Sequence, residues 1–222
     1  MPNKKEIARL KNVVDLLKKE YPAVEIALDH ENPFELLVAT MLSAQCTDAR
    51  VNIVTKKLFK KYKSPKDYLK VSQEELGKDI FSTGFYNQKS KSIQKCSKQL
   101  IDDYKGEVPA DFEKLAKLSG VGRKTASVVA GNAFGIPAIA VDTHVIRITN
   151  LLGFVDTKDA KRIEAKLKEL LPEKDWVQFT HWVISHGRKI CIARRPKCLE
   201  CILIDYCPSH KISKADILAA IK

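Results

Sequence analysis

Four cysteines fall close together near the end of the chain, Cys191, Cys198, Cys201 and Cys207, in the spacing C-x6-C-x2-C-x5-C. Thiolates this close in sequence can converge on one centre, either an all-cysteine zinc site or an iron–sulfur cluster. Spacing alone leaves zinc and a [4Fe–4S] cluster open, since both accept four thiolates. The pattern also differs from the C-x2-C-x2-C run of ferredoxins. The loop between the first two cysteines holds Arg194, Arg195 and Lys197, which suits phosphates better than simple electron transfer. Cys46 and Cys96 lie far from this group and read as ordinary buried thiols.

A second segment, Leu118-Ser119-Gly120-Val121-Gly122-Arg123-Lys124-Thr125-Ala126, lies between two helical stretches. Gly-x-Gly allows a tight turn with positive φ and leaves amide N–H groups exposed at the next helix's N-terminus, where they suit a phosphate. The plain alternative is an ordinary interhelical turn. Lys124 falls in the first turn of that helix, where a neutral amine can do Schiff-base chemistry; its plain alternative is a solvated surface lysine. Further on comes Val141-Asp142-Thr143-His144. Asp142 either caps the helix that Thr143 begins or is a carboxylate that assists deprotonation and stabilises positive charge. Both roles coexist only if the side chain is shared or changes partner.

These groups must be held by helices, because the hydrophobic period is helical almost throughout. Ile7, Leu10, Val13, Val14 and Leu17 mark one face of a first helix ending before Pro22. Asn32-Pro33 reads as an N-cap with proline at N1, opening an apolar helix through Phe34, Leu37, Val38, Met41 and Leu42. Thr47 or Asp48 caps a third helix, and Ser72 with Glu75 forms a capping-box pattern. Further helices are expected over 87–103, 111–118, 123–134, 143–151, 158–170, 175–187 and 213–221. The run Ala138 to Val141 is too short to count as β alternation, so the fold class is all-α.

Composition narrows the function classes. The 222 residues are 45% apolar and 30% charged, with nine glycines and nine prolines, which excludes disorder, collagen and a turn-rich all-β design. The formal net charge of +12 points to a polyanion. A membrane partner is not expected: the uncharged run over 125–141 is short for a bilayer span and is broken by Gly131, Asn132, Gly135 and Pro137. The charged N-terminus lacks the apolar core of a secretory signal. An intracellular, reducing location follows as an expectation.

Taken together, the chain resembles the endonuclease III family, the helix-hairpin-helix DNA glycosylases with an iron–sulfur cluster. The resemblance rests on Leu42-Ser43-Ala44-Gln45-Cys46-Thr47-Asp48, Gly84-Phe85-Tyr86-Asn87, the LSGVGRKTA hairpin, VDTH and the cysteine spacing, in this order over nearly the whole chain. It implies two helical domains with a DNA-binding cleft between them. One is a six-helix barrel over 26–136 with the hairpin; the other joins 1–25 to 137–222 and holds the cluster, a split that periodicity does not reveal. It implies a [4Fe–4S] cluster on the four cysteines, Lys124 and Asp142 as catalytic residues, and Gln45 as the side chain that fills the gap left by an extruded nucleotide. DNA contacts are implied for Gly120, Val121, Gly122, Arg123, Arg194, Arg195 and Lys197, and His144 is placed near the site.

Two departures from the family pattern stand out. Phe85 occupies the position of a leucine wedge, where an aromatic can still intercalate, or else is a core residue. Ser119 replaces a proline before Gly-Val-Gly, which removes rigidity but keeps both glycines. The implied activity is removal of oxidised pyrimidines from double-stranded DNA and β-elimination at abasic sites by a monomer, cytoplasmic and nucleoid-associated if the source is prokaryotic. The alternatives are a pyrimidine-dimer glycosylase/lyase and a non-catalytic DNA-binding iron–sulfur module.

Overall fold

In the computed structural model residues 4–210 are described; the helix expected over 213–221 lies outside them. Among the described residues the regular elements are helices, with no strand. They are α1 Lys4–Glu20, α2 Pro33–Leu42, α3 Asp48–Lys61, α4 Pro65–Leu69, α5 Gln73–Asp79, α6 Tyr86–Tyr104, α7 Phe112–Ala116, α8 Arg123–Phe134, α9 Thr143–Leu151, α10 Ala160–Leu170 and α11 Trp176–Lys189. The chain divides into two compact units, Ile26–Ala138 and Met1–Glu25 with Ile139–Lys222. No helix among the described residues is long and apolar enough to cross a membrane.

The unit Ile26–Ala138, which carries the glycine hairpin, is built round α2. Every residue from Phe34 to Leu42 is buried, so α2 is apolar on all sides, as a central helix must be. Asn32 starts it by accepting the Glu35 amide at 3.0 Å, with Pro33 at the first turn. α3, α6 and α8 pack against it, α4 and α5 pack on α6, and α7 packs on α8. The buried face of α6 runs through Ile93, Cys96 and Leu100. Truncating a fully buried leucine such as Leu36 or Leu37 costs about 2–5 kcal/mol.

α4 is not foreseen from the sequence. Its five residues are too few to display a period, and it exists through its start: Ser64 and Asp67 form a reciprocal capping box around Pro65. The Ser72 and Glu75 pattern delivers one half of a box, the Ser72 hydroxyl accepting the Glu75 amide at 3.1 Å. Thr47, not Asp48, caps α3. Cys96 is buried as expected, whereas Cys46 is only partly so.

In the other unit, α1 and α9 pack on α11. Leu10, Val13, Val14 and Leu17 of α1 are buried against Val145, Ile148, Leu167, Phe179 and Trp182. Ile7, expected on the same face, is exposed. α10 begins two residues later than the periodicity suggests, because the Asp159 carboxylate accepts the amides of Lys161 and Arg162 at 2.8 and 3.1 Å.

Candidate nucleic-acid interface and metal centre

The hairpin joins α7 to α8 with its apolar side chains turned inward. Leu118 and Val121 are buried, and the Val121 amide closes the turn on the Leu118 carbonyl at 3.0 Å. Val121, expected among the DNA contacts, therefore spends its side chain and amide on holding the hairpin. Gly120 has φ +75°, and a Cβ there would come within 2.7 Å of Ser92 Cβ and 2.9 Å of Met41 Cε. Both backbone conformation and close approach to α6 and α2 require glycine at this position. Gly122 precedes α8 without any side-chain cap, and the first amide bond of the helix is Ala126 to Gly122 at 2.9 Å. Among the described residues, the amides of Lys124 and Thr125 have no backbone acceptor. Such amides at a helix N-terminus make an anion site.

Ser119, which stands where a proline is usual in the resemblance, has a use for its own amide. It donates to Gln99 Oε1 on α6 at 2.6 Å, a bond no proline can make. The rigidity lost with the ring is replaced by a tether. Arg123 and Lys124 are both exposed, and the Arg123 guanidinium lies 4.9 Å from the Phe112 ring centre, linking the two arms of the hairpin.

Gln45 and Phe85 adjoin this hairpin. Together with Gly120, Ala44 and Lys89 they line one hollow of about 330 Å³. Both side chains are exposed, Phe85 at 63%, so Phe85 is not the core residue that was its alternative. Both adopt a left-handed backbone, φ +53° and +48°, which costs about 1–3 kcal/mol for a non-glycine residue and persists only where surroundings impose it.

Asp142 caps α9, its Oδ1 accepting the Val145 amide at 2.8 Å. Its Oδ2 has no hydrogen-bond partner among the described residues, so the cap leaves one oxygen uncommitted. His144, in the first turn of α9, faces α11 at Gly187, and its Nδ1 lies 3.4 Å from Arg147 Nη2.

The four cysteines form no disulfide and lie within electrostatic reach of one another. Burial first, and then the other three thiols, push Cys201 up to about 11. Among the described residues no group of three or more His, Cys, Asp or Glu side chains is placed to hold a single ion. The loop after α11 is closed by the amides of Cys191 to the His186 carbonyl and of Lys197 to the Ile190 carbonyl, at 2.9 and 3.0 Å. Arg194 and Arg195 are exposed, whereas Lys197 faces Glu200 at 3.6 Å.

Three residues that sequence reasoning passes over support these groups. Arg147 Nη1 donates to the Cys191 carbonyl at 2.6 Å and approaches its sulfur at 3.4 Å. His186, buried, lies with Nε2 3.6 Å from Cys201 Sγ and Nδ1 3.3 Å from the Tyr21 hydroxyl. Burial, with Arg147 second, lowers that imidazole to about 4. Lys89 is the third, and its signal is present in the sequence: a lysine in phase with Ile93, Cys96 and Leu100 on the buried face of α6.

Residues 38–173 match the HhH-GPD superfamily of base excision DNA repair proteins, and residues 191–207 match the iron–sulfur binding domain of endonuclease III. The chain is 53% identical to endonuclease III of Bacillus subtilis over 87% of its own length and 89% of the relative's. It belongs to the endonuclease III family. A second member, from Synechocystis, is 45% identical and covers 96% of this chain and 97% of its own. A solved structure of a trapped endonuclease III–DNA covalent intermediate superposes with a TM-score of 0.89 at 47% identity, covering 94% of this chain and 97% of that one.

As an endonuclease III family member, the protein is a base-excision-repair DNA glycosylase and abasic-site lyase, and DNA is its partner. Its cofactor is a [4Fe–4S] cluster. The donor set fits that group: four thiols outside any disulfide, of which Cys201 and Cys207 are raised in pKa by burial and then by the neighbouring thiols, would have their thiolate charge relieved by an iron–sulfur core. Cys191, Cys198, Cys201 and Cys207 are the residues that would hold it.

Proposed function

We propose that the protein removes oxidised or ring-saturated pyrimidines, such as thymine glycol, from duplex DNA and cuts the strand at the resulting abasic site, with Lys124 as nucleophile. The observation that carries this reading is an exposed lysine in the first turn of a helix, directly after a glycine turn, where the Lys124 and Thr125 amides have no backbone acceptor. That arrangement supports gripping a backbone phosphate beside an amine. Gly120, Gly122 and Arg123 supply the grip; Arg194, Arg195 and Lys197 add phosphate contacts from the cysteine loop. Gln45 and Phe85 enter the stack as the damaged nucleotide is flipped out, which costs least where pairing is already weak. His144, in the first turn of α9, adds a DNA contact.

The neutral Lys124 amine attacks the sugar C1′, and the bond from C1′ to the base breaks with its electron pair leaving on the base. Asp142, with one carboxylate oxygen outside its cap, accepts the amine proton. Ring opening gives a Schiff base, whose positive nitrogen acidifies a C2′ proton. Loss of that proton expels the 3′ phosphate, and water then releases the lysine. The cluster, when bound, supplies structure and DNA positioning; the scheme requires no electron from it. One chain carries the lysine, the carboxylate and all four cluster ligands, which supports a monomer. The positive charge and the bacterial relatives support action on nucleoid DNA in the cytoplasm.

A lesion panel tests the substrate assignment. Duplexes holding one thymine glycol, one pyrimidine dimer or one unmodified thymine are incubated with the holoprotein and strand scission is measured. Scission at thymine glycol alone is expected. Scission confined to the dimer would overturn the assignment.

A further inference from the structure

Lys89 is buried, being only 7% exposed, and among the described residues no carboxylate is bonded to it. Its Nζ donates instead to two carbonyls, Leu42 and Thr83, each at 2.8 Å. Leu42 is the last residue of α2, where carbonyls lack helical partners and the dipole favours a cation. Thr83 ends the short turn Phe81–Thr83 that leads into α6. Gln45 follows Leu42 by three residues and Phe85 follows Thr83 by two, and these two carry the left-handed backbones. Lys89 is also bonded to Phe85 through the backbone, its amide meeting the Phe85 carbonyl at 2.9 Å. Burial holds its ammonium below the ordinary lysine value, so the site spends charge desolvation on this one link.

We propose that Lys89 is a positioning residue for lesion recognition: one buried ammonium ties the Leu42 carbonyl, three residues before Gln45, to the Thr83 carbonyl, two residues before Phe85, and so fixes the separation of the two side chains that enter DNA. The proposal rests on the reading of Gln45 and Phe85 as inserting residues. An apolar side chain of similar length fills the same volume but leaves both carbonyls unpaired. The two loops then relax independently, while the hairpin amides and Lys124 stay where they are.

The test is a mutant cycle in the holoprotein. Lys89→Met is made alone and together with the pair Gln45→Ala and Phe85→Ala, and single-turnover excision from a thymine glycol duplex is measured. Fluorescence of 2-aminopurine beside a non-cleavable abasic analogue reports insertion, and visible absorbance with circular dichroism reports folding. Lys89→Met alone is expected to slow excision about tenfold and abolish the insertion signal, with binding to undamaged duplex unchanged. In the Gln45→Ala, Phe85→Ala background it is expected to change excision by less than twofold. A full tenfold loss in both backgrounds would overturn the proposal, since Lys89 then acts apart from the two loops. If Gln45→Ala with Phe85→Ala leaves excision and the insertion signal intact, the insertion reading itself fails and takes this proposal with it. Lys89→Gln, which keeps one donor, covers the case in which the methionine variant does not fold; failure of both to fold would mark Lys89 as a general stabiliser and overturn the proposal.

Discussion

Between α7 and α8 the groups left open to an anion are backbone amides, fixed by Leu118 and Val121 in the core, by Gly120 pressed against α6, and by the Ser119 tether to Gln99. Between Cys191 and Cys207 the groups are four side-chain thiols, Cys201 and Cys207 raised in pKa by burial and then by their neighbours, with Cys191 and Cys201 braced by Arg147 and His186. The first region is complete from protein packing alone. The second gathers donors whose thiolate charges oppose one another until a cationic core is bound, so its stability is linked to the cofactor. A polypeptide can thus prebuild a phosphate grip out of its own backbone, whereas a thiolate nest has to share the work with the metal.

The largest effect should come from Asp142→Asn, which sharpens the comparison because its cap is also backbone work. Asparagine caps about as well as aspartate, so the thermal midpoint should hold, while loss of the proton acceptor should lower single-turnover excision by about 10²–10⁴-fold. A matching fall in midpoint would instead mean that the carboxylate acts mainly as a cap. Next in size is Cys201→Ser, expected to strip most of the visible absorbance and to lower the thermal midpoint, with hairpin-unit amides still protected from hydrogen exchange. Equal loss of protection in both units would break the contrast.

Gly120→Ala works on the other side of it. The substitution forces an alanine into φ +75° with its Cβ against Ser92; at about 1–3 kcal/mol of strain, lesion binding should weaken roughly fivefold to a hundredfold, with cluster absorbance unchanged. Smaller again is the Arg194→Ala, Arg195→Ala pair. The slope of log affinity against log salt should fall by about 1.8, since each phosphate that a cation neutralises adds about 0.9 to it. An unchanged slope would remove the cysteine loop from the interface.

Much of this is legible in the sequence because helices announce themselves by period and caps. Asn32, Thr47 and Asp142 each begin a helix where their types and neighbours suggest. The hairpin and the cysteine spacing are legible because glycine and thiol chemistry admit few substitutes. What stays hidden depends on tertiary contact. α4 is too short for a period, and the left-handed Gln45 and Phe85 violate local preference, so only their surroundings can impose them. Arg147 and His186 read as ordinary helix residues until the fold brings them to Cys191 and Cys201.

The most direct measurement is borohydride trapping on a duplex with a single thymine glycol, comparing the holoprotein with Lys124→Ala and mapping the adduct by peptide mass. A covalent complex on the peptide containing Lys124, absent in the variant while duplex binding persists, is the expected result. An adduct that survives Lys124→Ala, or none in either protein with binding intact, would contradict the assignment of Lys124 as the nucleophile.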